Sequence, residues 1–241
     1  MACVIDLCSA SLGSTKDETS EARYFVNVGM YAFAGEKFAN FYAPGAHTIA
    51  PQLAPADTLL TPKVMIEVLG QNDSNSTDAP DVATVQARVA AFFSEAWTAS
   101  PDLRVVVVKV FPSFALALYV GRVNQAIDNE VALWRAAGKI IEVAETTAVD
   151  WQPEDSSDHP TKSGYGKYAA LIAPALRRVC GYDGAGYAKL TGVVPTLAVG
   201  DSFTTSVLGA GSDPWVSGWR NFLMAGGSET NAQNLWNLVI E

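Results

Sequence analysis

The chain falls into two kinds of hydrophobic segment. Short runs that are apolar at nearly every position occur at Lys63–Gly70 (KVMIEVLG), Leu103–Val110 (LRVVVVKV), Lys139–Glu145 (KIIEVAE) and Pro195–Gly200 (PTLAVG). A weaker run spans Lys37–Ala43 (KFANFYA). A strand with one face in water alternates apolar and polar residues, whereas a strand covered on both faces does not, so these runs predict a buried parallel sheet. Between them lie segments with apolar residues at helical spacing. DVATVQARVAAFFSEAW follows Pro80, VGRVNQAIDNEVALWRAAG stops at Gly138, and SGYGKYAALIAPALRRV stops before Cys180 and Gly181. A glycine just past a helical stretch supplies the left-handed residue that closes a helix. The alternation predicts a three-layer α/β/α domain around a doubly wound, five-stranded parallel sheet.

Two stretches stand outside this pattern. Residues 1–36 contain CVIDL and YFVNV, which read as an added hairpin, an insertion or edge strands, and no chemistry is assigned to them. Tyr182–Gly192 (YDGAGYAKLTG) is rich in Gly and Tyr and reads as a connection. No internal repeat is visible, and 241 residues suit one domain spanning 1–241.

Charge narrows the partners. The net charge is −9, and no run of Lys or Arg occurs. Polyanion affinity comes from clustered cations, so nucleic acid and anionic membranes are not expected as main partners. No apolar run reaches the roughly 18 residues of a membrane span. The opening MACVIDLCSAS lacks a basic leader and is interrupted by Asp6, so no signal peptide is expected, and the compartment, extracellular or otherwise, stays open. Cys3, Cys8 and Cys180 lack zinc-ligand spacing, and their odd number argues against a disulfide framework. Free thiols are expected, and no metal.

Candidate chemistry gathers at one edge. In open α/β sheets, ligands bind beyond the carboxyl ends of the strands. PTLAVG is followed by Asp201 and Ser202, KFANFYA by Pro44, Gly45 and His47, and KVMIEVLG by Gln71, Asn72 and Asp73. Beyond KIIEVAE comes PEDSSDHPTKSGY, which holds Asp155, Asp158 and His159. A hydroxyl, a glycine amide, a carboxamide and an imidazole on one rim are the parts of an acyl-transfer site. Each has a plainer reading alone. Ser202 suits a helix N-cap, Gly45 a turn after Pro44, and GQND a turn composition. The Trp-bearing tail (DPWVSGWRNFLM, NLWNLVIE) suits either core or a pocket wall.

Four blocks together resemble the SGNH (GDSL-type) hydrolase superfamily. GDSFT resembles its nucleophile block, NFYAPGAHT its glycine block, GQND its Asn block, and DHPTKSGYGKYAALIAPAL its histidine block. The resemblance covers roughly residues 37–206. It implies a flavodoxin-like sheet and a serine esterase without metal or organic cofactor. Ser202 would be the nucleophile and His159 the general base and acid. The Ser202 N–H, the Gly45 N–H and the Asn72 side chain would form the oxyanion hole, with His47 lining the substrate pocket and Asp73 either lining it or holding a loop. The family order is nucleophile, glycine, Asn, His; here the nucleophile comes last, as in a circular permutation with 182–192 as the new linker and 195–200 as the nucleophile strand. The family's acid stands three residues before the His, where this chain has Ser156. Asp155, Asp158 or a backbone carbonyl would then orient His159.

The resemblance implies a carboxylic ester substrate with a short acyl group, either a small molecule or an acetylated carbohydrate. Thioesterase or lysophospholipase activity is the alternative among enzymes, and a catalytically weak carbohydrate-binding or structural module the alternative outside them. The oligomeric state has no signature in the sequence.

Overall fold

A computed structural model describes residues 26–32, 35–54, 61–111, 117–146, 171–172, 174–182, 184–190 and 194–200. Among these, five strands form one sheet: β1 (Val26–Ala32), β2 (Val64–Val68), β3 (Arg104–Val108), β4 (Ile141–Ala144) and β5 (Val194–Gly200). Every pairing is parallel, and the order across the sheet is β1-β5-β2-β3-β4. The helices are α1 (Ala50–Leu53), α2 (Val82–Ala99), α3 (Ala117–Ala136) and a segment at 174–179, called α4.

The continuous apolar runs have the expected cause. All of β2 is buried, as is β3 from Val105 to Val108. Met65, Val105, Val107, Leu197 and Val199 point into one core with Val85, Val89, Phe92 and Phe93 of α2 and Val123, Ile127 and Val131 of α3. Residues of the opposite parity, Val64, Ile66, Val106 and Ala198, are equally buried but lie outside that cluster. So are Ala175, Leu176 and Val179 of α4. Arg104 shares that parity and donates from Nη1 to Val179 O at 2.7 Å, which places α4 over the second face. The three predicted layers are therefore present.

Local signals account for the helix ends. Asp81 caps α2 by accepting from Thr84 N–H at 2.7 Å, satisfying one of the orphan donors of the first turn. Gly138, at φ +82°, follows α3, as its sequence position predicts. No helix among the described residues is long and apolar enough to cross a membrane.

One expectation needs correction, and one choice left open is resolved. Lys37–Ala43 is not a strand. Phe38–Asn40 is a 3-10 turn, and the buried residues of the segment, Phe38 and Phe41, are three apart rather than two. The fifth strand is β1, drawn from the YFVNV stretch, so 26–32 is an edge strand of the main sheet and not an added hairpin. The connection after α4 folds back on that helix. Leu190 N–H donates to Cys180 O at 2.9 Å, and the Tyr182 hydroxyl to Leu190 O at 3.2 Å. Cys180 is a buried free thiol, pushed up to about 12 by burial; Cys3 and Cys8 lie outside the described residues.

Candidate active site

The sheet register brings three strand ends together. Ala32 of β1 is opposite Gly200 of β5, and Gly200 is opposite Val68 of β2. These three strands therefore end side by side at the carboxyl edge of the sheet. Gly35, Glu36 and Lys37 follow β1, and Leu69 to Asp73 follow β2. Residues 201 onward follow β5, so Ser202 begins two positions past a described, buried glycine. Ser202, Asp155, Asp158 and His159 themselves lie outside the described residues.

The GQND turn is built from several anchors. Gly70 has φ +109°, and a Cβ there would sit 2.8 Å from Val110 Cγ2 and 2.9 Å from Val123 Cγ1. Both the backbone and the space therefore demand glycine. Glu67, wholly buried in β2, accepts from Leu69 N–H through Oε1. Ser74 donates from Oγ to Gly70 O at 2.8 Å, and its N–H to Gln71 O at 3.1 Å. On this frame Asn72 donates from Nδ2 to Glu36 O at 3.2 Å. The Asn block is thus tied to the segment leaving β1.

Asp73 makes the second tie. Its Oδ2 accepts from Phe38 N–H at 3.1 Å, and Arg88 Nη1 of α2 lies 3.7 Å from Oδ1. Desolvation raises its carboxyl to about 6, against the pull of the Phe38 hydrogen bond and Arg88. The side chain has no exposed surface. It cannot line a substrate pocket, which corrects the binding role expected for it, while the loop-holding role fits: its partners make it a brace between loops. Around it, Asp78 accepts from Lys37 Nζ and Asn75 Nδ2, each at 2.6 Å. Partial burial pushes the Asp78 carboxyl up, but these hydrogen bonds outweigh it and hold the group below its ordinary value.

Gly45 has its amide committed to a turn within its own loop. Its N–H donates to Tyr42 O at 2.6 Å, and a Cβ would sit 2.5 Å from Asn40 O. Its loop is clamped to α2 by Glu95, which accepts from Ala43 N–H at 2.7 Å and Ala50 N–H at 3.3 Å. Gly45 is therefore a turn glycine. The expected oxyanion role depended on reading 37–43 as a strand. With β1 at 26–32, the described glycine next to the strand exit is Gly35, at φ +77° with open space where a Cβ would stand.

His47 is half-buried. Its Nε2 is 3.3 Å from Glu36 Oε1, and its ring lies 6.1 Å from that of Phe41. It touches the site through Glu36, the residue whose carbonyl holds Asn72. Glu36, Gly35 and Glu67 were missed in the sequence. Only Glu67 carried a signal, as a lone acid inside an apolar strand. No group of acidic, His or Cys residues suited to a metal ion occurs among the described residues.

No protein-family model matches the chain, and no curated protein does. Solved structures with a similar fold include a carbohydrate esterase family 3 protein from Talaromyces cellulolyticus. It has a TM-score of 0.48 and 22% identity, over 59% of this chain and 67% of that one. An acetyl esterase mutant with acetate ion has a TM-score of 0.42 and 21% identity, over 58% of this chain and 64% of its own.

Proposed function

We propose that the chain is a serine esterase on an SGNH-type scaffold with circularly permuted connectivity. The observation that carries this reading is the position of β5. Counted from β5, the sheet order β1-β5-β2-β3-β4 becomes 2-1-3-4-5, the flavodoxin-like order, whose ligand crevice lies between its first and third strands. Those are β5 and β2, the strands that lead into Ser202 and Asn72.

In this reading Ser202 Oγ attacks the ester carbonyl while His159 takes its proton. The oxyanion faces the Ser202 N–H, the Asn72 amide and a backbone N–H of the turn at Gly35. The Asn72 amide is a hydrogen-bond donor, already tied to Glu36 O at the edge of the sheet, and is assigned to the oxyanion. The alcohol leaves with the proton from His159. Water, deprotonated by His159, then attacks the acyl-Ser202, releasing the acid and restoring the serine. Asp155, Asp158 or a backbone carbonyl orients the imidazole, and His47 borders the pocket. The substrate class rests on the motif resemblance: a short-chain ester, with an acetylated carbohydrate as its natural form.

Hydrolysis of p-nitrophenyl acetate by wild type and Ser202→Ala tests the reading. A rate that vanishes in the variant, with fluorophosphonate labelling confined to the Ser202 peptide, is expected. Equal rates would end the esterase reading and leave a binding or structural module. Asn72→Ala should lower kcat by about 10²–10³, the cost of one oxyanion donor.

A further inference from the structure

The loops after β1 and β2 meet through two bonds of different kinds. Asn72 reaches Glu36 O from a partly buried position, whereas Asp73 reaches Phe38 N–H from a position with no solvent contact. Burying a carboxylate is expensive unless it is paired and hydrogen-bonded. Here its partners are one backbone N–H and a guanidinium 3.7 Å away, so the site carries a charge the core would be easier without. We propose that Asp73 is a positioning residue: its buried carboxylate locks the Glu36–Phe38 segment onto the GQND turn and so fixes the Asn72 amide at the carboxyl edge of β2. The catalytic consequence rests on the esterase reading; the lock itself rests on geometry alone.

A carboxylate accepts from an N–H more strongly than a neutral group of the same shape. The lock is therefore firmest when Asp73 is ionised. The charged groups facing it are Arg88 from α2, Lys37 from the segment it holds, and Asp78 from its own loop; the first two favour ionisation and the third opposes it. With the carboxyl raised to about 6, the lock should slacken as the pH falls through that value. Glu36 and His47, paired at 3.3 Å, are the neighbouring groups whose titration must be separated from it.

The test follows the Phe38 backbone amide and the Asn72 side-chain amide by NMR from pH 4.5 to 8, in wild type, Asp73→Asn and Asp73→Ala. The expected result is one shared step near pH 6 in wild type that is absent in Asp73→Asn, and Phe38 exchange at least tenfold faster in Asp73→Ala. A step that persists in Asp73→Asn overturns the proposal, as does unchanged Phe38 exchange. In ester hydrolysis, kcat should fall about 3–10-fold in Asp73→Asn and further in Asp73→Ala, with KM within twofold. Faster Phe38 exchange at unchanged kcat would also overturn the positioning role. If Asp73→Ala does not fold, wild type and Asp73→Asn carry the test. If wild type shows no Ser202-dependent hydrolysis, the esterase reading fails on that ground, while the amide signals still decide the lock.

Discussion

Asn72 sits in a turn in which nearly every neighbour is committed, and two of those neighbours make distinct predictions. Gly70 combines a left-handed backbone with Val110 and Val123 pressed against its missing Cβ. Gly70→Ala should therefore destabilise the fold by about 2–4 kcal/mol, more than a surface glycine would. Denaturant unfolding of the variant beside Gly121→Ala, where a Cβ meets nothing, measures the difference. Asp73 gives a pH signature. Its carboxyl is raised from 3.8 to about 6, so the folded state keeps a proton that the unfolded chain has released. The stability this proton supplies is complete below about pH 4 and is lost as the pH rises through 6. At 1.36 kcal/mol per pK unit, the loss is on the order of 2–3 kcal/mol. Asp73→Asn should erase that slope, leaving a smaller fall in unfolding free energy between pH 4.5 and 7.5 than wild type shows. At this scale the sequence was partly legible. GQND announced a rim turn because its residue types suit little else after a buried strand. Gly45 misled, because a glycine after a proline looks the same in a crossover loop as at a strand end. Which of its two roles Asp73 takes was not legible, since burial is invisible in a one-dimensional motif.

At the scale of elements, apolar runs are legible where both faces of a strand are covered, as in β2 and β3, and also at the partly buried edge strand β4. β1 was harder to read. VNVGMYA carries Asn27 and Gly29 within an edge strand, and the better-looking KFANFYA lay just beyond it. The spacing of Phe38 and Phe41 was the discriminating signal, because a separation of three suits a helical turn and not a pleat. Those aromatics also join the segment to the helical layer. Phe38 meets Phe92 of α2 edge to face, with ring centroids 5.6 Å apart, and both rings are wholly buried. Phe92→Ala should cost about 3–5 kcal/mol. A double-mutant cycle with Phe38→Ala should show a coupling of about 0.5–1.5 kcal/mol, read from denaturant unfolding of the four proteins.

For the molecule as a whole, the doubly wound class was legible because alternation of strand and helix survives any choice of starting point. Which strand lies beside which was not legible from periodicity, because pairing is a non-local property of the sheet. The placement of β5 between β1 and β2 has a consequence for assembly. β2, β3 and β4 are successive neighbours and can zip up from contacts between adjacent parts of the chain. Val26, by contrast, pairs with Val194, and β1 has no other partner among the described strands. Contacts between such distant positions form late because a long loop must close first. In pulsed hydrogen exchange during refolding, amides of β1 and β5 should gain protection together, after those of β2 to β4. On a ribosome the same order becomes a waiting period: the outermost strand, made first, stays without its neighbour until the keystone at 194–200 has been synthesised, and only then do the two edges of the future cleft face each other.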